Sequence, residues 1–275
     1  LTIVRGSSFK TPSLKYILSM VLSMLYLASV AQEERMITDR PGFTNNPATT
    51  RDKWLQVETG ISRQSEKYSA PYKDQIFDHP SVLIKYGIGH RFELRMITAL
   101  STRRDEAVNL TDVYTGIRTF QLGGKFNFLK QKKFRPGISL MGHYSFHKLE
   151  SPGFRYDSID GANLRLVFEN AFSKCFFLGY SGGLEWRTFR YEAAFVYSVS
   201  PRVILGEDWL LFAEIYGYAW PKRTPHNTIA FVLAYYLNDN LKIDASAGFG
   251  LTKPAPDNVF SVGASFRFRT SKKAD

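Results

Sequence analysis

The sequence contains very little cysteine. Cys175 is the single cysteine among 275 residues, so no disulfide can form within the chain. It precedes an apolar stretch, where a lone cysteine is typically a small packed or lipid-facing side chain. We therefore expect no reactive role for Cys175.

Long apolar runs are equally scarce. The most prominent covers residues 16–30, which is short for a transmembrane helix. Lys10 and Lys15 precede it, and the small residues Ser29 and Ala31 close it, the pattern of a secretory leader. We predict a signal peptide over residues 1–31, cleaved after Ala31. Export without a second run of this kind leaves the periplasm, the exterior or the outer membrane as destinations.

Acidic residues are outnumbered by basic ones, 25 against 36, which gives a formal net charge of +11. Nucleic-acid-binding proteins share this excess, but they gather it into one patch or stripe. Here lysine and arginine are scattered along the chain. We therefore expect no nucleic-acid partner, and the excess favours attraction to anionic lipid headgroups or solutes.

Helical periodicity is also rare, and strict alternation takes its place. In residues 259–269 one face is wholly apolar, carrying Phe260, Val262, Ala264, Phe266 and Phe268. The other face is polar or small. A strand of about 9–11 residues with one apolar face is what a transmembrane β-barrel requires. The aromatic content of 15% suits interfacial girdles, and alternation explains a mean hydropathy of only −0.21.

The alternating pattern recurs about twelve times over residues 52–269. We predict an all-β, transmembrane, antiparallel up-and-down barrel in which the last strand pairs with the first. Residues 32–51 form an irregular segment before it, and residues 270–275 a polar tail after it. Short connections near residues 90, 131, 174 and 239 alternate with predicted polar loops at 65–80, 101–114 and 147–161. A short connection at 187–188 and a long one at 200–208 break this rule.

The inward faces of the predicted strands carry charges of both signs. The candidate lumen residues are Glu93, Arg95, Lys125, Arg165, Glu169, Glu214, Asp244 and Arg267. We also place Arg190, Glu192 and Arg269 on this inner face. Interleaved signs favour mutual ion pairing for most of them. The alternative is a lumen that selects solutes by charge and size.

The irregular segment is rich in residues that break regular structure, and it contains the motif Asp39-Arg40-Pro41. From the residues alone, a position at the barrel mouth, one inside the lumen, and a solvated linker remain open. Arg267 and Arg269 would be partners for a carboxylate such as Asp39.

Catalytic and metal signatures are weak. His143 and Ser145 share a strand face, but their Cβ atoms would lie about 7 Å apart, beyond hydrogen-bond reach. The five histidines show no metal-ligand spacing. We expect no enzyme activity, no cofactor and no metal. An outer-membrane acyl hydrolase stays as the weakest alternative.

Four stretches resemble a known family. They are residues 37–41 with Thr44 and Pro47, the hairpin at 86–95, Gly123-Gly124-Lys125, and residues 237–244. These resemble the outer-membrane barrel family named for the MetA pathway of phenol degradation. Asn45 departs from the acidic residue common there. The resemblance implies an outer-membrane barrel that passes small, often hydrophobic, compounds.

We therefore expect a channel or transporter for small molecules in the bacterial outer membrane. A non-conducting structural or adhesive barrel, using its long loops as the contact surface, is the alternative. The expected partners are outer-membrane lipids, an unidentified small solute, and the barrel-assembly machinery during insertion.

Overall fold

A computed structural model describes residues 35–67, 72–107, 110–155 and 159–271. The predicted signal peptide lies outside these residues, as does most of the predicted tail. Within the described ranges, no helix is both long and apolar enough to span a bilayer.

Twelve β-strands form in the described residues. They are β1 (Trp54–Lys67), β2 (Lys73–Ile88), β3 (Phe92–Ala107), β4 (Leu110–Leu129), β5 (Gly137–Ser145), β6 (Gly161–Ala171), β7 (Phe176–Trp186), β8 (Ala194–Leu205), β9 (Trp209–Ala219), β10 (His226–Asn238), β11 (Leu241–Gly250) and β12 (Asn258–Arg269). A short 3-10 helix, His147–Leu149, follows β5.

The sheet closes on itself, with every strand antiparallel to its neighbours. β12 pairs with β1 from Trp54 opposite Arg269 to Ser65 opposite Asn258. Closure removes the unpaired edges that an open sheet would expose. The prediction of a twelve-stranded antiparallel barrel sealed by its last strand is confirmed.

The outer surface of the barrel is apolar. Phe260, Val262 and Phe268 on β12 are between 43% and 51% exposed, and Phe231 on β10 is 53% exposed. The residues between them point inward, and Ser265 and Arg267 are buried. This inside-out arrangement is that of a barrel surrounded by hydrocarbon.

The two ends of the barrel differ. The short-turn end holds both barrel termini and the turns at 89–91, 130–136, 172–175, 206–208 and 239–240. The long-loop end holds the described parts of the connection between β5 and β6 (146–155 and 159–160) and the connections at 187–193, 220–225 and 251–257. The predicted exceptions at 187–188 and 200–208 were wrong, because β8 begins at Ala194 and continues to Leu205. Arg190 and Glu192 are consequently exposed in a loop instead of facing inward.

The predicted polar loops at 65–80 and 101–114 were also wrong, since β1 to β4 extend through most of them. β4 has 20 residues against 10 in β11. Ion pairs hold these extensions together: Arg103 pairs with Asp74 at 3.1 Å, and Arg118 pairs with Asp78 at 2.7 Å. Where both faces of a hairpin are wet, strands need no apolar alternation, so the sequence pattern fades.

Candidate functional site

Residues 35–51, here called the inner segment, run through the inside of the barrel. The segment starts at the short-turn end, where the Met36 N–H donates to the Asp239 carbonyl at 2.9 Å. It returns to the same end, where Asp52 bridges to Gly87. The sequence left three positions open for this segment, and in the structure it lies inside the lumen.

Three glutamates of the wall hold the backbone of the inner segment. Glu58 accepts the N–H groups of Asp39 and Arg40, the shortest contact being 2.7 Å. Glu93 accepts the Thr50 N–H at 2.6 Å, and Glu214 accepts backbone N–H groups from the middle of the segment. An irregular backbone cannot satisfy its own donors, so buried carboxylates take the place of a strand ladder.

Polar side chains of the wall bind the carbonyl groups of the same segment. Lys125 donates to the Asn46 carbonyl at 2.9 Å, and Arg202 donates to the Thr44 carbonyl at 2.5 Å. The Pro47 carbonyl accepts from Asn127 at 3.1 Å. Both donors and acceptors of the inner segment are therefore matched by the barrel wall.

Asp39 is the electrostatic centre of the site. Its Oδ2 atom lies 2.7 Å from Arg95 Nη1, 3.4 Å from Lys85 Nζ and 3.6 Å from Lys125 Nζ. Glu93 completes the cluster, 2.6 Å from Arg95 and 3.2 Å from Lys125. All five side chains are at most 3% exposed. Burial of this kind makes each pairing necessary to the others.

Arg40 lies against a part of the wall that lacks side chains. A Cβ atom on Gly60 or Gly263 would run into its guanidinium group, so both glycines leave the space that it occupies. Arg40 Nη2 lies 3.6 Å from Asp244 Oδ1, and the Arg40 carbonyl accepts from Lys242 at 2.7 Å. The neighbouring Pro41 and Gly42 line a cavity inside the barrel.

An aromatic contact supports the middle of the segment. Phe43 stacks on Tyr216 of β9 with 4.4 Å between ring centroids, and the Arg165 guanidinium lies 4.6 Å from the Phe43 ring centre. Arg165 also pairs with Glu185 at 2.8 Å. The sequence left the faces of β9 ambiguous because both are apolar. The inner face is the one that carries Glu214 and Tyr216 against the segment.

The candidate lumen residues do not all meet at one place. Glu93, Arg95 and Lys125 gather around Asp39, and Asp244 lies beside Arg40. Glu169 accepts from Asn46 at 2.6 Å.

Arg267 lies apart from this group, at the short-turn end, donating to Asn240 at 2.7 Å and stacking over Trp54. Arg269 is exposed. The expectation that Arg267 and Arg269 would hold Asp39 was wrong, because three cations on β2, β3 and β4 already surround that carboxylate.

Sequence reasoning missed Arg202, which it placed in a loop. In the structure it lies on β8 and pairs with Glu169 at 3.2 Å. The alternation of Ser198, Ser200 and Arg202 could have found it. Pro201 obscured the pattern, since proline is unusual within a paired strand.

His143 is not arranged for catalysis. Its Nε2 atom accepts from Arg95 at 3.0 Å, and its Nδ1 atom lies 3.1 Å from the Asn163 side-chain oxygen. Both ring nitrogens are therefore engaged by residues other than Ser145. In the described part of the chain, no three His, Cys, Asp or Glu side chains group closely enough to hold a metal ion.

A cavity of about 400 Å³ lies above the inner segment, toward the long-loop end. Asp39, Arg40 and Phe43 contribute its floor, and Arg95 and Arg165 its walls. The lumen thus combines a filled short-turn half with an open space beyond it.

A solved structure shows the same fold. An outer-membrane channel from Pseudomonas putida F1 superposes with a TM-score of 0.65 at 10% identity, covering 84% of this chain and all (100%) of that one. The KdgM porin has a TM-score of 0.49 at 11% identity, covering 77% and 99%. The CymD monoaromatic hydrocarbon channel has a TM-score of 0.42 at 10% identity, covering 80% and 89%. The last two similarities are too distant to show that the folds are the same.

No curated protein matches the chain. A family profile, however, matches residues 38–268, from the inner segment to the end of β12. The matched region includes the whole site built around Asp39. The chain therefore belongs to the family described as "Putative MetA-pathway of phenol degradation".

Proposed function

We propose that this protein is a bacterial outer-membrane channel for small solutes, and that the inner segment is its plug. The short-turn end then faces the periplasm and the long-loop end faces outward, as in other barrels of this class. Outer-membrane lipids cover the apolar outer surface.

One observation carries the proposal: a charged lumen encloses a segment that is held by side chains and not by strand pairing. A purely structural barrel would gain nothing from such a lumen, because apolar packing fills an interior at lower electrostatic cost. Side-chain contacts to an irregular segment can be exchanged one by one, whereas removal of a paired strand would open the wall.

A locked plug tests this function. In a Cys175→Ser background, Phe43→Cys and Tyr216→Cys would be joined by a reducible bifunctional thiol reagent. The aromatic stack brings these two positions together. We expect conductance in planar bilayers to fall at least tenfold on cross-linking and to return on reduction.

The matched control joins two positions of the wall alone. Ser181 and Ser198 lie opposite each other on β7 and β8, with their hydroxyl oxygens 2.7 Å apart. Cross-linked cysteines there should leave conductance unchanged.

A non-conducting structural or adhesive barrel is the second candidate, and the many buried contacts of the inner segment favour it. Absence of conductance and of solute uptake into liposomes, with the plug free or cross-linked, would establish that candidate and exclude the channel.

A further inference from the structure

Without Asp39, the wall around it carries one more positive than negative charge. Lys85 pairs with Glu58 at 2.5 Å, while Arg95 and Lys125 share Glu93. Three cations on adjacent strands thus meet two carboxylates of the wall. The third carboxylate is that of Asp39, which belongs to the inner segment.

Displacing the inner segment would leave this excess positive charge without its counterion. Three cations on adjacent strands repel one another once the carboxylate between them is gone, so the displaced state is electrostatically disfavoured. A solute that brings its own carboxylate would remove that cost. By binding only the displaced state, it would shift the population toward an open lumen.

The surroundings indicate what else such a solute would carry. Arg95 lines the cavity above the plug, and Leu83, Ile97 and Met141 line the same side of it. Leu83 and Ile97 are cross-strand partners, and Met141 lies opposite Lys125. A carboxylate at Arg95 would therefore have an apolar strip beside it for a short hydrocarbon body.

We propose that Lys85, Arg95 and Lys125 form a carboxylate-binding site, which Asp39 occupies in the closed channel and a monocarboxylate with a short apolar body occupies in the open one. This inference rests on the proposed channel function. Asp39 acts as a built-in competitor of the solute.

The probe is hexanoate, with hexanamide as its uncharged counterpart of the same shape. Binding to the purified full-length protein would be measured by titration calorimetry, and conductance in planar bilayers would be recorded in parallel. We expect hexanoate to bind and to raise conductance, and hexanamide to do neither at tenfold higher concentration.

Two variants locate the site. Asp39→Asn removes the competitor and should bind hexanoate at least tenfold more tightly than the wild type. Lys125→Gln should weaken binding at least tenfold. The matched control is Arg118→Gln, which removes a cation paired with Asp78 instead of Asp39 and should bind like the wild type.

The results separate this inference from the channel function. Equal effects of hexanoate and hexanamide, or unchanged hexanoate binding in both Asp39→Asn and Lys125→Gln, would overturn the carboxylate site even if the channel conducts. Hexanoate binding with the expected variant pattern, in a protein that never conducts, would support the site and refute the channel.

Discussion

The Glu214 carboxylate on β9 accepts the backbone N–H groups of both Phe43 and Thr44, at 2.8 Å and 2.9 Å. Glu214 is 2% exposed, so water cannot replace it as the acceptor for these two N–H groups. One side chain of the wall therefore holds the inner segment at Phe43 and Thr44. Its removal should loosen the plug more than it destabilises the barrel.

We predict that Glu214→Ala loosens the inner segment. Hydrogen bonds to a buried charge are worth about 1.5–3 kcal/mol each, so losing two should raise the displaced population at least tenfold. The probe is Thr44→Cys in a Cys175→Ser background, because Thr44 is 2% exposed when docked. Maleimide labelling of that cysteine should be at least tenfold faster with Glu214→Ala.

Glu106→Ala is the control for this experiment. Glu106 forms an ion pair of 2.9 Å with Arg104, and this pair does not involve the inner segment. Labelling at equal rates in the Glu214 and Glu106 variants would show that Glu214 does not restrain the plug.

We predict that Gly60→Ala lowers the unfolding temperature in detergent, because the added methyl group would run into both the Arg40 guanidinium and the Val262 carbonyl. Arg40→Ala should restore part of the loss when the two changes are combined, as expected for residues in contact, while the contact with the Val262 carbonyl remains. Gly182→Ala is the control, since its new Cβ would meet only Phe195 at an ordinary 3.6 Å. No recovery in the double variant would attribute the loss to the backbone and not to Arg40.

We predict a pH-dependent loop at the long-loop end. His147 Nε2 donates to the Arg187 carbonyl at 2.7 Å, and its Nδ1 atom lies 2.9 Å from Glu150 Oε2. Burial alone would lower the pKa of His147, but the hydrogen bonds to Arg187 and Glu150 outweigh it and raise the pKa above 6.5. Burial raises the pKa of Glu150 as well.

A raised histidine pKa stabilises the loop at low pH, and that stabilisation is lost as pH rises above 6.5 through the folded-state value. Proteolysis within residues 147–160 should therefore accelerate with pH over this window. His147→Gln should remove the dependence, whereas His90→Gln, in an exposed turn at the other end, should keep it. A flat pH profile in the wild type would contradict the assignment.

We predict that Cys175 reports the orientation of the barrel. It is exposed in the turn at 172–175, so it is not a packed thiol. A membrane-impermeant maleimide should label it only after the outer membrane is permeabilised. Lys148→Cys in a Cys175→Ser background lies at the opposite end and should label on intact cells. The reverse pattern would invert the proposed orientation.

The sequence by itself determined the wall of this protein. Alternation in segments such as residues 259–269 separates a lipid face from an inner face, and that separation follows from the two-residue period of a strand. Strand number and closure followed from repetition of the pattern. Alternation is lost where both faces are wet, which is why the extensions of β1 to β4 were predicted as loops.

Only the tertiary structure decided what fills the interior of the barrel. The inner segment has no periodicity, so nothing local relates Asp39 to cations that lie 46 to 86 positions further along the chain. Those cations meet because closure of the barrel brings β2, β3 and β4 around one point. The partners of a buried charge depend on which strands become neighbours, and that is a property of the closed sheet.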